Sequence, residues 1–202
     1  MAEPDTSVQL TPASMDAAEI ALLAAALAAA GRYLEFGAGG STLLAVRARP
    51  ELIVTVEGDM AWVERIREHP EIAAAEASSR LVLVPIDLGP IRAYSVPTDP
   101  GSSALWPAYH AAAWAHFGAV PPDLVLIDGR FRLACGLQAV LRCPPTTRLL
   151  IHDFWNRPAY HRLLDFTDTL ERAGTMALLQ PRRELDRAAA ERLLAEVARS
   201  FD

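Results

Sequence analysis

The stretch RYLEFGAGGST, residues 32–42, decides how the rest of the chain is read. A short apolar run, RYLEF, is followed at once by three glycines and two hydroxyl side chains, which is typical of a turn from strand to helix. Glycines let a loop bring its backbone close to a ligand, and the N–H groups at the start of the next helix suit a negative group. The stretch therefore predicts the first strand and ligand loop of an α/β sheet.

The same alternation continues along the chain. Helix-like stretches separate further apolar runs, namely LIVTVE, LVLVPID, DLVLID, RLLIHDF and TMALLQP. The stretch AYHRLLDFTDTLERAG predicts a helix, and ELDRAAAERLLAEVARSF predicts the last one. Because strands of Val, Ile and Leu are covered on both faces, we expect a doubly wound, mostly parallel Rossmann-like sheet with helices on both faces. Ligands of such sheets bind beyond the carboxyl ends of the strands.

The composition excludes several classes of function. The chain has 202 residues and a net charge of -6, which argues for one domain and against a general nucleic-acid or anionic-membrane surface. It contains no Lys, so Schiff-base and Walker lysines are excluded. Its two cysteines, Cys135 and Cys143, lie outside any Cys-x-x-Cys motif. They favour a reduced, cytoplasmic protein over a zinc or redox protein.

Residues 1–31 predict an N-terminal helical segment. The run AAEIALLAAALAAAG is apolar but too short to span a bilayer, and the acids that precede it do not fit a signal peptide. We expect an amphipathic helix capped near Thr11-Pro12 or Ser14 and closed by Gly31. Residues 1–202 are predicted to form a single domain with this segment included.

Every predicted strand before TMALLQP ends in or beside an acid. These acids are Glu35, Glu57, Asp87, Asp128 and Asp153, the last preceded by His152. The glycine loop fits a dinucleotide fingerprint, G-x-G-x-x-G/A, only in part, because Thr42 takes the last position. A dinucleotide site also has no particular need for an acid before the glycines. A tight turn without a ligand is a further alternative.

The sequence LEFGAGGST, followed by VTVEGD, resembles the first two motifs of class I S-adenosylmethionine (SAM)-dependent methyltransferases, of which the first reads acid-x-Gly-x-Gly. The stretches DLVLIDGRFRLACGL and RLLIHDFWNRPAYHRLLDF resemble a bacterial methyltransferase-like group with IDG and HD strand ends. In this respect they are similar to metal-dependent O-methyltransferases. The family's sheet usually ends in a sixth strand and an antiparallel seventh. After TMALLQP the sequence predicts only a helix, which would shorten the sheet, cover an edge or join a partner chain.

The resemblance implies a set of cofactor residues. The glycine loop would lie against the methionine part of SAM, and Glu57 would take both ribose hydroxyls. An acid after the third strand often lies near the adenine amine; Asp87 stands there and is equally well explained as a solvated loop acid. The implied set is Glu35, Gly37, Ala38, Gly39, Glu57, Asp59 and Asp87. An Asn/Asp-Pro-Pro-Tyr/Phe motif is absent after the fourth strand, which makes base or amino methylation of that type less well supported.

Asp128, His152 and Asp153 are the candidate catalytic residues. Carboxylate oxygens suit Mg²⁺, so Asp128 and Asp153 are candidate metal ligands, with His152 as base or ligand. Metal-dependent members commonly have Asp-Asn where this chain has HDF, and the alternative is that the pair holds its loop and Arg157 through hydrogen bonds. Arg130 could pair with a substrate carboxylate or with Asp128.

The sequence indicates less clearly which residues would bind the methyl acceptor. Trp106, Tyr109, His110, Trp114 and Phe117 recur at helical spacing, which predicts a core-facing stripe. Alternatively, residues 88–117 form a lid insertion in which Tyr109 and His110 face the acceptor. We expect O-methylation of a small molecule by an enzyme with no nucleic-acid or membrane partner, in a chain that could self-associate. A non-catalytic SAM-binding protein and an NAD-binding oxidoreductase are the alternatives.

Overall fold

A computed structural model describes residues 15–201. Nine strands are found in this part of the chain: β1 (Arg32–Phe36), β2 (Leu52–Glu57), β3 (Leu81–Pro85), β4 (Ile91–Arg92), β5 (Val96–Pro97), β6 (Leu124–Ile127), β7 (Arg148–Ile151), β8 (Thr167–Ala173) and β9 (Met176–Pro181). Seven of them form one sheet in the order β3-β2-β1-β6-β7-β9-β8, and β4 and β5 form a separate hairpin. In the large sheet, β9 runs antiparallel to both of its neighbours, β7 and β8, and all other pairs of strands are parallel.

Helices cover both faces of this sheet. They are α1 (Ala17–Ala28), α2 (Gly40–Ala48), α3 (Met60–Arg67), α4 (Pro70–Ala77), α5 (Pro107–Ala111), α6 (Arg132–Arg142) and α7 (Arg187–Val197). Alternate strand residues point to opposite faces. Tyr33 and Ile53 pack with apolar side chains of α1 to α4, whereas Leu34 and Val54 pack with those of α5 to α7. The prediction of a doubly wound, mostly parallel sheet is confirmed.

The register of the central strands aligns their carboxyl ends. Phe36 lies opposite Val56 on one side and Ile127 on the other, and Ile127 lies opposite Ile151. The Gly37 N–H donates to the carbonyl of Val56 over 2.8 Å, which continues the ladder into the glycine loop. The loops after β1, β2, β6 and β7 therefore open along one edge of the sheet.

The end of the sheet differs from the prediction. The stretch predicted as a helix forms a 3₁₀ segment, Pro158–Asp165, and then strand β8. Strand β8 is an edge strand with mostly exposed side chains, so it lacks the apolar alternation that marks a half-buried strand. The TMALLQP strand, β9, inserts between β7 and β8. The sheet is therefore not shortened, and it has the antiparallel seventh strand that the resemblance implied.

Helix α1 is capped later than predicted. The Asp16 side chain accepts hydrogen bonds from the N–H groups of Ala18 and Glu19, and the Glu19 carboxylate accepts one from the Asp16 N–H, which makes a capping box. The helix also ends before Gly31. The predicted cap positions Thr11, Pro12 and Ser14 lie outside the described residues. Within residues 15–201, no helix has both the length and the apolar character to cross a membrane.

Candidate active site

A cavity of about 410 Å³, here called the loop cavity, lies at the carboxyl edge of the sheet. The loops after β1, β2 and β6 contribute its walls together with the tip of the β4–β5 hairpin. Its lining residues are Gly37, Ala38, Gly39, Gly40, Ser41, Glu57, Asp59, Trp62, Tyr94, Ser95, Tyr109, Asp128, Gly129 and Arg130. Five of the predicted cofactor residues line this cavity, and Glu35 and Asp87 do not.

The glycines of the loop have two different structural roles. Gly37 has a φ of +97°, and a Cβ there would lie 2.8 Å from the backbone of Gly129. Only a residue without a side chain permits this approach between the loops after β1 and β6. A Cβ on Gly39 would instead meet no atom of the described residues within 4 Å. Gly39 therefore leaves open space beside the loop cavity.

Glu35 lies behind the glycine loop. Its Oε2 accepts hydrogen bonds from the hydroxyls of Thr42 at 2.6 Å and Thr55 at 3.1 Å, and the Thr42 Oγ1 accepts one from the N–H of Gly39. Burial raises the pKa of Glu35 to about 7, and the hydroxyls of Ser41, Thr42 and Thr55 offset part of that effect. Because Glu35 is fully buried, it supports the loop through Thr42 instead of facing the cavity.

Glu57 joins three segments of the site. Its Oε2 accepts a hydrogen bond from the Ala38 N–H at 3.0 Å. Its Oε1 accepts three more, from the N–H groups of Gly58 and Asp59 and from the Ser95 hydroxyl at 2.6 Å. A carboxylate has about four acceptor positions, so the protein itself fills them in this structure. The glycine loop, the start of α3 and the hairpin tip all meet at Glu57.

Of the two acids predicted beyond Glu57, Asp59 and Asp87, only Asp59 lines the loop cavity. Asp59 caps α3 by accepting from the Trp62 N–H, and the Trp62 indole lines the cavity while donating to the Ala38 carbonyl at 2.9 Å. Asp87 is exposed and accepts from the N–H of Gly89, as a solvated loop acid does. This arrangement favours the alternative stated for Asp87 over a place in the cavity.

A second cavity of about 370 Å³, here called the arginine cavity, adjoins the first. It is lined by Tyr94, Val96, Asp128, Arg130, Arg132, His152, Asp153 and Arg157. Three of these residues, Tyr94, Asp128 and Arg130, also line the loop cavity. The structure therefore brings the three predicted catalytic residues together, and it places them beside the predicted cofactor loop.

His152 lies between two carboxylates. Its Nδ1 is 2.9 Å from Asp128 Oδ1, and its Nε2 is 3.3 Å from Glu19 Oε2. Burial lowers the pKa of His152, but the hydrogen bond and charge of Asp128, with the charges of Asp153 and Glu19, raise it above its ordinary value. Glu19 also accepts from the N–H and hydroxyl of Thr175. Both ring nitrogens are therefore engaged, and the charged imidazolium is favoured.

Arg132 occupies the space between the two predicted metal ligands. Its guanidinium, 5% exposed, lies 3.2 Å from Asp128 Oδ1 and 3.4 Å from Asp153 Oδ2, and it donates to the carbonyl of His152. Arg157 binds the same Oδ2 of Asp153 at 3.0 Å. Within residues 15–201, no three His, Cys, Asp or Glu side chains are grouped to hold a metal ion. The donor set does not fit the predicted Mg²⁺ site.

The aromatic stripe belongs to the core. Trp106, Tyr109, Trp114 and Phe117 are all buried on the α5 side of the sheet, which confirms the core-facing interpretation. His110 is also buried; its two ring nitrogens lie 3.2 Å from the Gln138 side chain and from the Ala198 carbonyl. The Tyr109 ring lines the loop cavity, and its hydroxyl accepts from the Arg130 N–H.

Several residues of the site were not predicted from the sequence: Glu19, Ser41, Trp62, Tyr94, Ser95 and Arg132. Glu19 and Arg132 carry a usable signal, since each is a charge at the start of a largely apolar helix. Tyr94 and Ser95 carry none. They adopt positive φ angles of 63° and 56°, and their place at the site depends on the hairpin fold.

Solved structures share this fold. A methyltransferase-like protein from Silicibacter pomeroyi (spo2022) is 27% identical, with a TM-score of 0.80 over 94% of this chain and 97% of that one. An O-methyltransferase from Bacillus cereus in complex with SAH is 14% identical, with a TM-score of 0.56 over 86% and 84%. TomG, an O-methyltransferase from Streptomyces achromogenes in complex with SAM, is 17% identical, with a TM-score of 0.54 over 83% and 81%.

No protein-family model matches the chain, and no curated protein matches it by sequence. The fold is the Rossmann-like fold of SAM-dependent methyltransferases. Of the three structures, the Silicibacter pomeroyi protein covers the most of this chain.

Proposed function

We propose that this chain is a SAM-dependent methyltransferase that methylates an oxygen atom of a small molecule. The observation that carries the proposal is Glu57, a strand-end acid that is hydrogen-bonded to the glycine loop and lines a cavity that shares three lining residues with a second, charged one. The O-methyltransferases with the same fold, described as complexes with SAM or SAH, support it.

The residues of the loop cavity fit the parts of SAM. The N–H groups at the start of α2 suit the methionine carboxylate, and Gly39 leaves room beside them. Glu57 would receive the ribose hydroxyls, and Asp59 and Trp62 would lie farther along the cavity wall. Glu35 would act on the cofactor only through Thr42 and the loop. Each of these residue roles is part of the proposal.

When bound, SAM supplies a methyl group activated by a sulfonium, and positioning contributes much of the rate of such a displacement. Asp128 lines both cavities, and its contacts with His152 and Arg132 both fall on Oδ1. Its Oδ2 is therefore the group that we assign to accept the proton of the acceptor hydroxyl. His152 and Asp153 then act as positioning residues, His152 through Asp128 and Asp153 through Arg132.

The proposed mechanism uses no Mg²⁺. The guanidinium of Arg132 already binds Asp128 and Asp153, and a divalent cation would have to displace it. Asp128 and Asp153 therefore have no metal-binding role in this mechanism.

The β4–β5 hairpin is the part of residues 88–117 that we propose as the lid. Tyr94 at its tip is 85% exposed and lines both cavities, and Ser95 beside it is bonded to Glu57. Closing such a segment over the two ligands would exclude water from the reaction.

A turnover assay tests the proposal. Purified protein is incubated with methyl-labelled SAM and a panel of phenols and hydroxy acids, and labelled product and SAH are measured. We expect labelled product with at least one acceptor and its loss in Asp128→Asn. Binding of SAH without turnover on any acceptor would favour the non-catalytic alternative, and binding of NAD without SAH would favour the oxidoreductase. A cytoplasmic setting, self-association and the absence of nucleic-acid partners belong to the same proposal.

A further inference from the structure

The arginine cavity contains more cationic groups than there are acids in contact with them. With His152 protonated, four cationic groups meet there, and Asp128, Asp153 and Glu19 are the acids that contact them. His152 lies between Asp128 and Glu19, Arg132 lies between the two aspartates, and Arg157 binds Asp153. The cations are Arg130, Arg132, Arg157 and His152.

Arg130 is the cation without an acid. Among residues 15–201, no carboxylate lies within 4.0 Å of its guanidinium, whereas the sequence left a pairing with Asp128 open. Its Nε is buried, and no group in the described part of the chain hydrogen-bonds with it. Burial lowers the pKa of Arg130, and the charges of Arg132 and Arg157 lower it further. The fold therefore partly desolvates this charge and pairs it with no acid, which costs free energy unless a ligand completes the pairing.

The position of Arg130 ties this charge to the reaction site. The residue lines both cavities, as do Tyr94 and Asp128. A ligand group held by Arg130 would thus lie at the junction between the cofactor loop and the acceptor space. The 370 Å³ of the arginine cavity lies within the size range of small-molecule sites.

We propose that Arg130 binds the carboxylate of an anionic methyl acceptor, and this inference rests on the proposed function. Guanidinium and carboxylate form two parallel hydrogen bonds, which fixes orientation as well as charge. One unpaired positive charge matches a monoanion. A phosphate monoester carries roughly −1.5 to −2 at neutral pH and would remain partly uncompensated.

Ligand-observed NMR with three aromatic probes tests the proposal. Benzoate, benzamide and phenyl phosphate are titrated into the protein with and without saturating SAH. We expect benzoate to bind at least about tenfold more tightly than benzamide and more tightly than phenyl phosphate. Equal binding of benzoate and benzamide, or no benzoate binding at about 10 mM, would overturn the proposal. Tighter binding of phenyl phosphate would overturn the choice of carboxylate.

Variants assign the binding to this residue. Arg130→Gln should lose benzoate affinity by about tenfold or more, Arg130→Lys should lose less, and Arg192→Gln on the exposed face of α7 should lose none. The melting temperature of Arg130→Gln should equal or exceed that of the wild type, because an unpaired charge is removed. Unchanged benzoate affinity in Arg130→Gln would overturn the proposal. The comparison of benzoate with benzamide on the wild-type protein tests the proposal even if a variant does not fold.

The same titrations separate this inference from the proposed function. If SAH binds and benzoate does not, the inference of an anionic acceptor is overturned and the methyltransferase proposal is not. If benzoate binds through Arg130 and SAH does not bind, the anion site stands and the methyltransferase proposal fails.

Discussion

The hydroxyl of Ser95 donates a 2.6 Å hydrogen bond to Glu57 Oε1, and this bond ties the tip of the β4–β5 hairpin to the acid at the end of β2. The two residues are 38 positions apart in the chain. Glu57 is the residue proposed to hold the cofactor ribose. The hairpin therefore uses an acceptor position that the ribose would need.

Removing the Ser95 hydroxyl should strengthen cofactor binding. Of the four donors to Glu57 that residues 15–201 supply, Ser95 is the one side chain, and the other three are backbone N–H groups fixed by the fold. We expect Ser95→Ala to bind SAH about three- to tenfold more tightly, in line with the net value of one hydrogen bond. Calorimetric titration measures this change. If Ser95→Ala instead weakens SAH binding, Ser95 stabilises the SAH complex and does not compete with the ribose for Glu57.

Two glycines of the loop should respond differently to Ala. Gly37→Ala should lower the free energy of unfolding by about 1 to 3 kcal/mol, because φ is positive and the Cβ meets the Gly129 backbone. Gly39→Ala should fold like the wild type and bind SAH about tenfold less tightly, because its Cβ occupies open space beside the loop. Urea denaturation and calorimetry measure the two effects. Equal stability of both variants would contradict this division of roles.

The mostly parallel sheet and the common edge of its strand ends could be predicted from the sequence because they depend on apolar periodicity and on strand-end acids. Glu57 and the glycine loop follow local rules of this kind. The sequence marks Arg132 and Glu19 as charges at helix starts, but it does not reveal their partners, since each side chain reaches a residue far along the chain, His152 in both cases. Strand β8 was missed because an exposed edge strand has no apolar pattern. The Mg²⁺ prediction is not supported, because Arg132 binds both carboxylates, a contact that spacing alone does not reveal.

Glu35 should make stability depend on pH near neutrality. Its pKa rises from 4.5 to about 7 in the folded chain, so the folded state keeps a proton that the unfolded state has lost. The contribution is full below about pH 4.5 and is lost as the pH rises to about 7, a change of about 3 kcal/mol. Glu35→Gln cannot ionise. As the pH rises from about 5 to about 8, we expect the free energy of unfolding of the variant to increase relative to that of the wild type by about 2 to 3 kcal/mol.

Chemical denaturation at several pH values provides this comparison. The difference between variant and wild type is the useful quantity, since other groups titrate equally in both. A difference that does not change with pH would show that Glu35 is ionised throughout and that its burial is fully compensated.

His152 should lose its raised pKa when either neighbouring acid is neutralised. Asp128→Asn should lower the pKa most, since Asp128 gives both the hydrogen bond and the larger charge effect, and Glu19→Gln should lower it less. Because the folded pKa is raised, the imidazolium contributes its full stability below about pH 6.5 and loses it as the pH rises through the folded value.

Nitrogen-15 NMR titration of the imidazole follows this change directly. Glu191→Gln, an exposed change on α7, is the matched control and should leave the His152 titration unaltered. An unchanged His152 titration in Asp128→Asn would contradict the coupling.

Calorimetric titration of the wild-type protein and Glu57→Ala with SAH measures directly whether the loop cavity binds the methyl donor. We expect a dissociation constant of about 100 µM or tighter for the wild type and an affinity at least about tenfold weaker for the variant. NAD should give no binding heat. Absence of SAH binding to the wild type at about 1 mM, or equal SAH binding by both proteins, would contradict the assignment of this cavity to the methyl donor.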